Sequence, residues 1–285
     1  GRNAIMIGIL ADYGTAPTFG QWMKYGLPFV PVAAAAMGGY FYLTLRRRVK
    51  VRQLNVARIV RGEAARLGPM TRKEWIAAAI LLVVVTLWIT AGDEEGNGLG
   101  MGGPVLLGLV LMSLFRIITW QDVNRIPWDV VALYGSASAM GAGLAATGAA
   151  LWIARAFVGA LPQTLSQGEG LAAASSMISV VLTQIMSDGA TVSAVGPITV
   201  PMASLSGTHP WMVGLATAFS SSFANCFLSG TPNNAIAFAM ARDLNTGEQL
   251  VTLGDFFKHG LAVTVIAMVV LWGWLFFCYW RWIGF

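Results

Sequence analysis

Two stretches decide the fold: Thr183-Gln184-Ile185-Met186-Ser187-Asp188-Gly189 and Gly230-Thr231-Pro232-Asn233-Asn234-Ala235-Ile236. Each is a polar, Gly- or Pro-bearing interruption in sequence that is otherwise apolar. Leu171–Met186 is apolar, Ser187-Asp188-Gly189 breaks the run, and Ala190–Leu205 is apolar again, with Pro197 and Pro201 soon after the break. This does not suit one straight helix; it predicts a re-entrant hairpin with its tip near mid-membrane. A helix from Trp211 is then predicted to be interrupted at Ser229-Gly230-Thr231-Pro232-Asn233-Asn234. Non-helical backbone at membrane depth is tolerated only where protein buries it or it lines a cavity. Two such breaks close together point to a binding site.

Working outward, apolar residues make up 56% of the chain and charged residues 11%, with a mean hydropathy of +0.66. A soluble domain carries about a quarter charged residues, so the solvent read from this composition is a bilayer. Apolar stretches near the roughly 20 residues needed to cross it are Tyr25–Leu45, Trp75–Ala91, Met140–Val158, His209–Leu228 and Leu261–Tyr279, with a shorter one at Pro104–Ile118. Arg46, Arg47, Arg48, Lys50, Arg52, Arg58, Arg61, Arg66, Arg72 and Lys73 fall between the first two. That loop is expected on the cytoplasmic side, with anionic lipid as a secondary contact. The net charge of +5 is therefore not a nucleic-acid signal, since no aromatic platform is interleaved with it.

With loop 46–73 inside, the second span opens on a Thr71/Glu74 capping box, and Asp93, Glu94 and Glu95 lie outside. The span after Pro104 returns inward to Arg116, Asp122 and Arg125, and small residues at Ser136–Gly148 suit close helix packing. Cys226 and Cys278 read as small apolar residues, His209 and His259 as interfacial ones, and Trp272, Trp274, Trp280 and Trp282 as part of an interfacial belt. Ser220-Ser221-Ser222 read as packing residues, with Asn225 the better polar site candidate nearby.

A repeat runs through the chain. Asn3-Ala4-Ile5 recurs as Asn234-Ala235-Ile236, Asp12 as Asp243, and, after a three-residue insertion, Lys24-Tyr25-Gly26-Leu27 as Lys258-His259-Gly260-Leu261. The first copy heads outward and the second inward, so the copies are inverted, as in many secondary transporters. The hairpin matching Ser187-Asp188-Gly189 is then expected upstream of residue 1, which makes the chain a part of a longer protein. The fold class read from all this is an all-α integral membrane protein, an inverted-repeat transporter fragment with a re-entrant hairpin and broken transmembrane helices.

The two stretches quoted first resemble the second half of the divalent anion/sodium symporter family, and Trp128–Gly148, with Leu133-Tyr134-Gly135, resembles the span before its hairpin. The resemblance implies a secondary transporter of dicarboxylates, citrate or sulfate, driven by a cation, in which a transport domain moves like an elevator against a scaffold in a homodimer. It places residues 1–24 at the end of the first broken helix and 25–135 mainly in the scaffold. Residues 136–170 become a linking helix and external connection, 171–260 the second hairpin and broken helix, and 261–285 a last transmembrane helix. By position, Thr183, Met186, Asp188, Gly230 and Asn234 would line a sodium site. Ser187, Asp188, Gly189, Thr231 and Asn3 would face the anion. The expected partners are a small anionic substrate, the lipid bilayer and a second copy of the chain. The expected location is a bacterial inner membrane; no cofactor is expected beyond a coupling Na+ or H+.

The chain departs from the family pattern where it matters chemically. Family tips read Ser-Asn-Thr, whereas this one reads Ser187-Asp188-Gly189; an ionised Asp cannot donate to a carboxylate as an Asn amide can. Gly1-Arg2-Asn3 brings a fixed positive charge where the family has a Pro-containing break. Arg2 and Asp188 are therefore expected to approach across the site, with Arg2 a substitute for the charge of one cation. The alternative is that Arg2 pairs with an acid in the missing half. Two other functions stay open: an antiporter or oxyanion permease of the wider ion transporter superfamily, and a transport-inactive membrane subunit. An enzyme is not expected, because no triad, metal cluster or phosphate-binding glycine loop is present in the sequence.

Overall fold

The computed structural model describes residues 2–14, 16–46, 56–90, 102–124, 146–242 and 248–285, with scattered positions between 132 and 144. Among them every regular element is helical, apart from one isolated bridge between Arg242 and Gln249. The chain is an all-α membrane protein, and the described part forms two compact units. Unit 1 comprises Gly1–Pro17, Lys24–Tyr40 and Trp128–Phe285; unit 2 comprises Thr18–Met23 and Phe41–Pro127.

Unit 2 is built on two helices, α5 (Arg72–Thr90) and α6 (Gly102–Leu114), preceded by α4 (Val56–Leu67) and followed by the short α7 (Trp120–Asn124). The capping box opens α5 as expected: Thr71 Oγ1 accepts from the Glu74 amide, and the Glu74 carboxylate accepts from the Thr71 amide at 2.6 Å. α5 and α6 meet at a glycine, since a Cβ on Gly108 would lie 2.7 Å from Val84 Cγ2. The opposite faces are bare hydrocarbon: Leu82, Ile89, Leu106, Val110 and Leu114 are each 60% exposed or more. Such apolar faces belong in lipid.

Unit 1 gathers α1 (Arg2–Asp12), α8 (Ala149–Ala160), α9 (Gly168–Leu182), α10 (Asp188–Leu205), α11 (Pro210–Ser220), α12 (Pro232–Met240) and α13 (Leu253–Val270). α13 runs on through a π-helical stretch, Leu271–Trp280, to a last turn at Arg281–Ile283. The hairpin is α9 and α10, joined by residues 183–187. Both arms pack on α11, with Ala154, Leu171, Met202, Ala203 and Val213 forming a buried cluster between α8, α9, α10 and α11. α1 lies across α10 and α11, and its Met6 and Leu10 sit where Gly196 and Gly214 leave room. Any side chain at those glycines would strike them.

Among the described residues three segments are long and apolar enough to cross a bilayer: Phe19–Thr44, Arg72–Thr90 and Leu253–Ile283. Two other expected spans are shorter as helices. The apolar run His209–Leu228 is helical only as α11, which ends at Ser220; the Ser220 and Ser221 hydroxyls bond back to the carbonyls of Ala216 and Ala218 at that end. The run Met140–Val158 yields α8 from Ala149, after Gly148 at φ 74°. Segment Phe19–Thr44 is itself two helices, α2 (Phe19–Gly26) and α3 (Phe29–Leu45). Pro28 has no amide to continue the ladder and disfavours helical geometry at Leu27. The expected acidic loop Asp93–Glu95 lies outside the described residues, as do Gly1, Arg47, Arg48, Lys50, Arg52, Arg125 and Asp243.

The repeat is longer in the structure than in the sequence reading. Thr18 Oγ1 accepts from the Gln21 amide at the start of α2, and Thr252 Oγ1 accepts from the Asp255 amide at the start of α13. Thr18 and Thr252 each stand six residues before the repeated lysine. The repeated glycines also do the same work: a Cβ on Gly26 would collide with the Phe219 ring, and one on Gly260 with the Asn225 carbonyl.

The aromatic belt needs correcting. Trp282 is 83% exposed, but Trp280 is fully buried. Trp274, Tyr279 and Trp280 donate to the backbone carbonyls of Pro28, Lys24 and Tyr25, and Trp272 donates to Ser176. The carbonyls of Pro28, Lys24 and Tyr25 stand where the helix stops, and two indoles and the Tyr279 hydroxyl supply the donors the backbone cannot.

Gly260→Ala must push the Asn225 backbone aside, at a cost of about 1–3 kcal/mol. A melting curve of the purified protein is expected to show a lower Tm, whereas Gly273→Ala, with open space around it, leaves Tm unchanged.

Candidate functional site

The site is assembled from two places where backbone leaves the helix. α9 ends at Leu182 and α10 begins at Asp188; α11 ends at Ser220 and α12 begins at Pro232. The second break is therefore residues 221–231, earlier and longer than the Ser229–Asn234 interruption expected from sequence. Asn233 and Asn234 are already helical, as are Asp188 and Gly189. Sequence reading placed the break on the Gly-Thr-Pro-Asn motif because prolines and glycines mark helix ends. The chain has already left the helix at Ser221, well before that motif.

Unwound backbone needs partners, and here side chains provide them. Thr183, fully buried in the tip, donates its hydroxyl to the Ser221 carbonyl. Gln184 donates to the Phe223 carbonyl at 2.8 Å and accepts from the Cys226 amide at 3.1 Å. Thr264 of α13 donates to the same Phe223 carbonyl at 3.1 Å, and Asn225 reaches back to Thr264 at 3.4 Å. Asn234 donates to the Ala224 and Phe227 carbonyls at 2.6 and 2.9 Å. Gly230 is buried where a Cβ would lie 2.9–3.4 Å from the Ala224 methyl, the Ala224 carbonyl and the Thr183 carbonyl. Tip and break are thus stitched together, with carbonyl oxygens gathered around Gly230.

Two helices begin on the other side of the tip. Ser187 caps α10, its hydroxyl accepting from the Ala190 amide. From the first turn of α10, Asp188 accepts from Arg2 at the start of α1, with Nη1 3.0 Å from Oδ2. Both side chains are about one third exposed or less, at 35% and 27%. The N-terminal ends of α1 and α10 therefore meet at an ion pair, and both helix dipoles present their positive ends there. Around it, Arg2 Nε, Asn3 Oδ1 and the Thr191 hydroxyl are buried with no hydrogen-bond partner among the described residues. Thr191, one turn beyond Asp188, is fully buried.

The structure thus brings Arg2 to Asp188, and Thr183 to Gly230. Asn234 is spent on the break, and Ser187 and Thr231 each cap their own helix. Met186 and Gly189 are partly exposed beside Ser187 and Asp188. Sequence reasoning assigned no role to Gln184 or Thr264. A lone amide among apolar residues at Gln184 was the available signal; Thr264, one hydroxyl in a spanning helix, carried none. Among the described residues no group of three His, Cys, Asp or Glu is placed to hold a metal ion.

Comparison with known proteins agrees with this architecture. The family described as the sodium:sulfate symporter transmembrane region matches residues 1–285. A sodium-dependent dicarboxylate transporter SdcS of Staphylococcus saprophyticus is 26% identical over 278 residues, covering 90% of this chain and 51% of that protein. The SdcS protein of Staphylococcus aureus is 23% identical over 284 residues, covering 92% of this chain and 52% of that protein. The chain spans about half the length of these relatives. With the whole of its length matched by one family, the chain belongs to the sodium:sulfate symporter family, the divalent anion/sodium symporters whose tip and broken-helix motifs it resembles.

Proposed function

We propose that this chain is the second half of a secondary active transporter for small divalent anions, dicarboxylate or sulfate-like, whose site lies at the Arg2–Asp188 pair. The observation that carries this reading is the meeting of two helix N-termini at that pair, with buried unpartnered polar atoms on Arg2, Asn3 and Thr191 beside it. Helix N-termini and a guanidinium hold oxyanions. An anion arriving there takes up the Arg2 and Thr191 donors that no described residue engages. The two relatives are named sodium-dependent dicarboxylate transporters, which supports the same substrate class.

Charge balance shapes the coupling. An anion entering a low-dielectric site needs compensating positive charge, and a co-transported cation supplies it. Here Arg2 supplies one such charge permanently, already engaged by Asp188 at 3.0 Å. A cation, Na+ or H+, then joins at Asp188 or at the carbonyls of Thr183 and Ala224 around Gly230. In this reading the stitched hairpin and break move as one body across the bilayer, within a homodimer of the full-length protein. Loop 46–73 faces the cytoplasm, which for a bacterial protein means the inner membrane.

Uptake of succinate and sulfate by full-length protein in proteoliposomes, under separate Na+ and pH gradients, tests this. Arg2→Gln is expected to lower uptake roughly tenfold or more, because a charge-assisted contact worth about 1.5–3 kcal/mol disappears. Asp188→Asn is expected to change the Na+ or pH dependence; an unaltered cation profile in a folded, active variant sinks the assignment of Asp188. The double variant is expected to lose less than the two single effects added together, as for groups in contact.

Gln184→Leu keeps the side-chain bulk but leaves the Phe223 carbonyl and Cys226 amide without that partner. Thermal unfolding is expected to report a loss of about 1–3 kcal/mol, and transport is expected to slow as tip and break uncouple.

A further inference from the structure

Helix α4 is held to one membrane face by its neighbours in sequence. α3 closes at Leu45 and α5 opens at Arg72, and both belong to segments that are long and apolar enough to cross a bilayer. The chain between them leaves and re-enters on the same side. Residues 68–71 alone join α4 to α5, so at about 3.5 Å per residue the C-terminal end of α4 stays within roughly 18 Å of the point where α5 enters.

The surface of α4 is amphipathic in a way that water does not reward. Val60 and Leu67 are 59% and 84% exposed, Ala64 between them is exposed, and Met70 just beyond the helix is 51% exposed. Positions 60, 64 and 67 follow the i, i+4, i+7 spacing of a single apolar stripe. Arg61 and Arg66, both exposed, fall about a third of a turn to either side of it. The sequence from Arg46 to Lys73 carries ten basic side chains against one acidic, Glu63.

We infer that α4 lies in the headgroup layer of the membrane and binds anionic phospholipid, its apolar stripe entering the acyl boundary while Arg61 and Arg66 reach the phosphates. An apolar stripe flanked by arginines on a helix of this kind is the pattern of an interfacial helix. The tether supplies the proximity that a free helix would have to gain by partitioning. A nucleic acid would match the charge but leave the stripe in water, whereas an anionic lipid surface satisfies both.

Amide hydrogen exchange over residues 56–67, in the full-length protein, tests the assignment. The protein is placed in nanodiscs of phosphatidylcholine alone or mixed with phosphatidylglycerol. Exchange is expected to slow at least about tenfold when the anionic lipid is present, given the attraction each arginine adds near such a surface. The protection is expected to fall as salt is raised from 0.1 M to 1 M and screening tightens from about 10 Å to about 3 Å. Arg61→Glu with Arg66→Glu is expected to abolish the lipid dependence, and Val60→Ser with Leu67→Ser to weaken it, with exchange in α10 and α11 unchanged as the measure of folding. Equal exchange in both discs, as a protein partner for α4 would give, overturns the inference. So does lipid-dependent protection that survives the charge reversal.

Discussion

Eleven residues of unwound backbone, 221–231, lie against apolar helices and cannot be left to themselves. Each unsatisfied peptide group in such surroundings costs several kcal/mol, so whatever sits beside this break must carry donors and acceptors in the right places. Thr183 and Gln184 from the hairpin tip, Thr264 from α13 and Asn234 from the next helix do so. That requirement makes the tip, the break and α13 obligate neighbours. Gly230 and Gly260 complete the arrangement by letting backbone approach backbone, the first against Ala224 and the Thr183 carbonyl, the second against Asn225.

The second ordering force is charge. Arg2 and Asp188 stand 186 residues apart in sequence, yet each opens a helix, α1 and α10, and they pair where those helices begin. An aspartate at a helix N-terminus is already stabilised by the dipole, and an arginine there is not. Arg2 is held in an unfavourable place for a cation by its own helix, and Asp188 compensates it. In the transport reading proposed above this pair belongs to the ion pathway, as ionisable groups inside a membrane do by default. The buried polar atoms of Arg2, Asn3 and Thr191 that have no partner among the described residues fit the same proposal, because a finished structural ion pair has no use for them.

Around these two features the rest of unit 1 is close helix packing of an ordinary membrane kind. Small residues let α1 settle onto α10 and α11, and the aromatic end of the last helix closes the carbonyls left open where α2 stops. The two copies of the repeat share their caps at Thr18 and Thr252 and their close-packed glycines. They differ where Pro28 interrupts the first while the second runs on unbroken from Leu253.

The membrane character, the two interruptions, the repeat and the family were legible in the residues alone. Each is a matter of composition or of local backbone preference, and a proline, a glycine or a charge in an apolar run acts on the chain wherever it lies. Even the capping box at Thr71 and Glu74 was readable, since its partners stand three residues apart. Sequence could nominate Arg2 and Asp188 as a pair but not exclude an acid elsewhere for Arg2; proximity across 186 residues is a property of the folded chain. The same holds for the true extent of the second break, for Gln184 and Thr264 as its partners, and for Trp280 turning inward rather than into the membrane interface. Those were decided by tertiary structure, because a hydrogen bond is short and directional, and only the packed helices determine which distant donor arrives within 3 Å of which carbonyl.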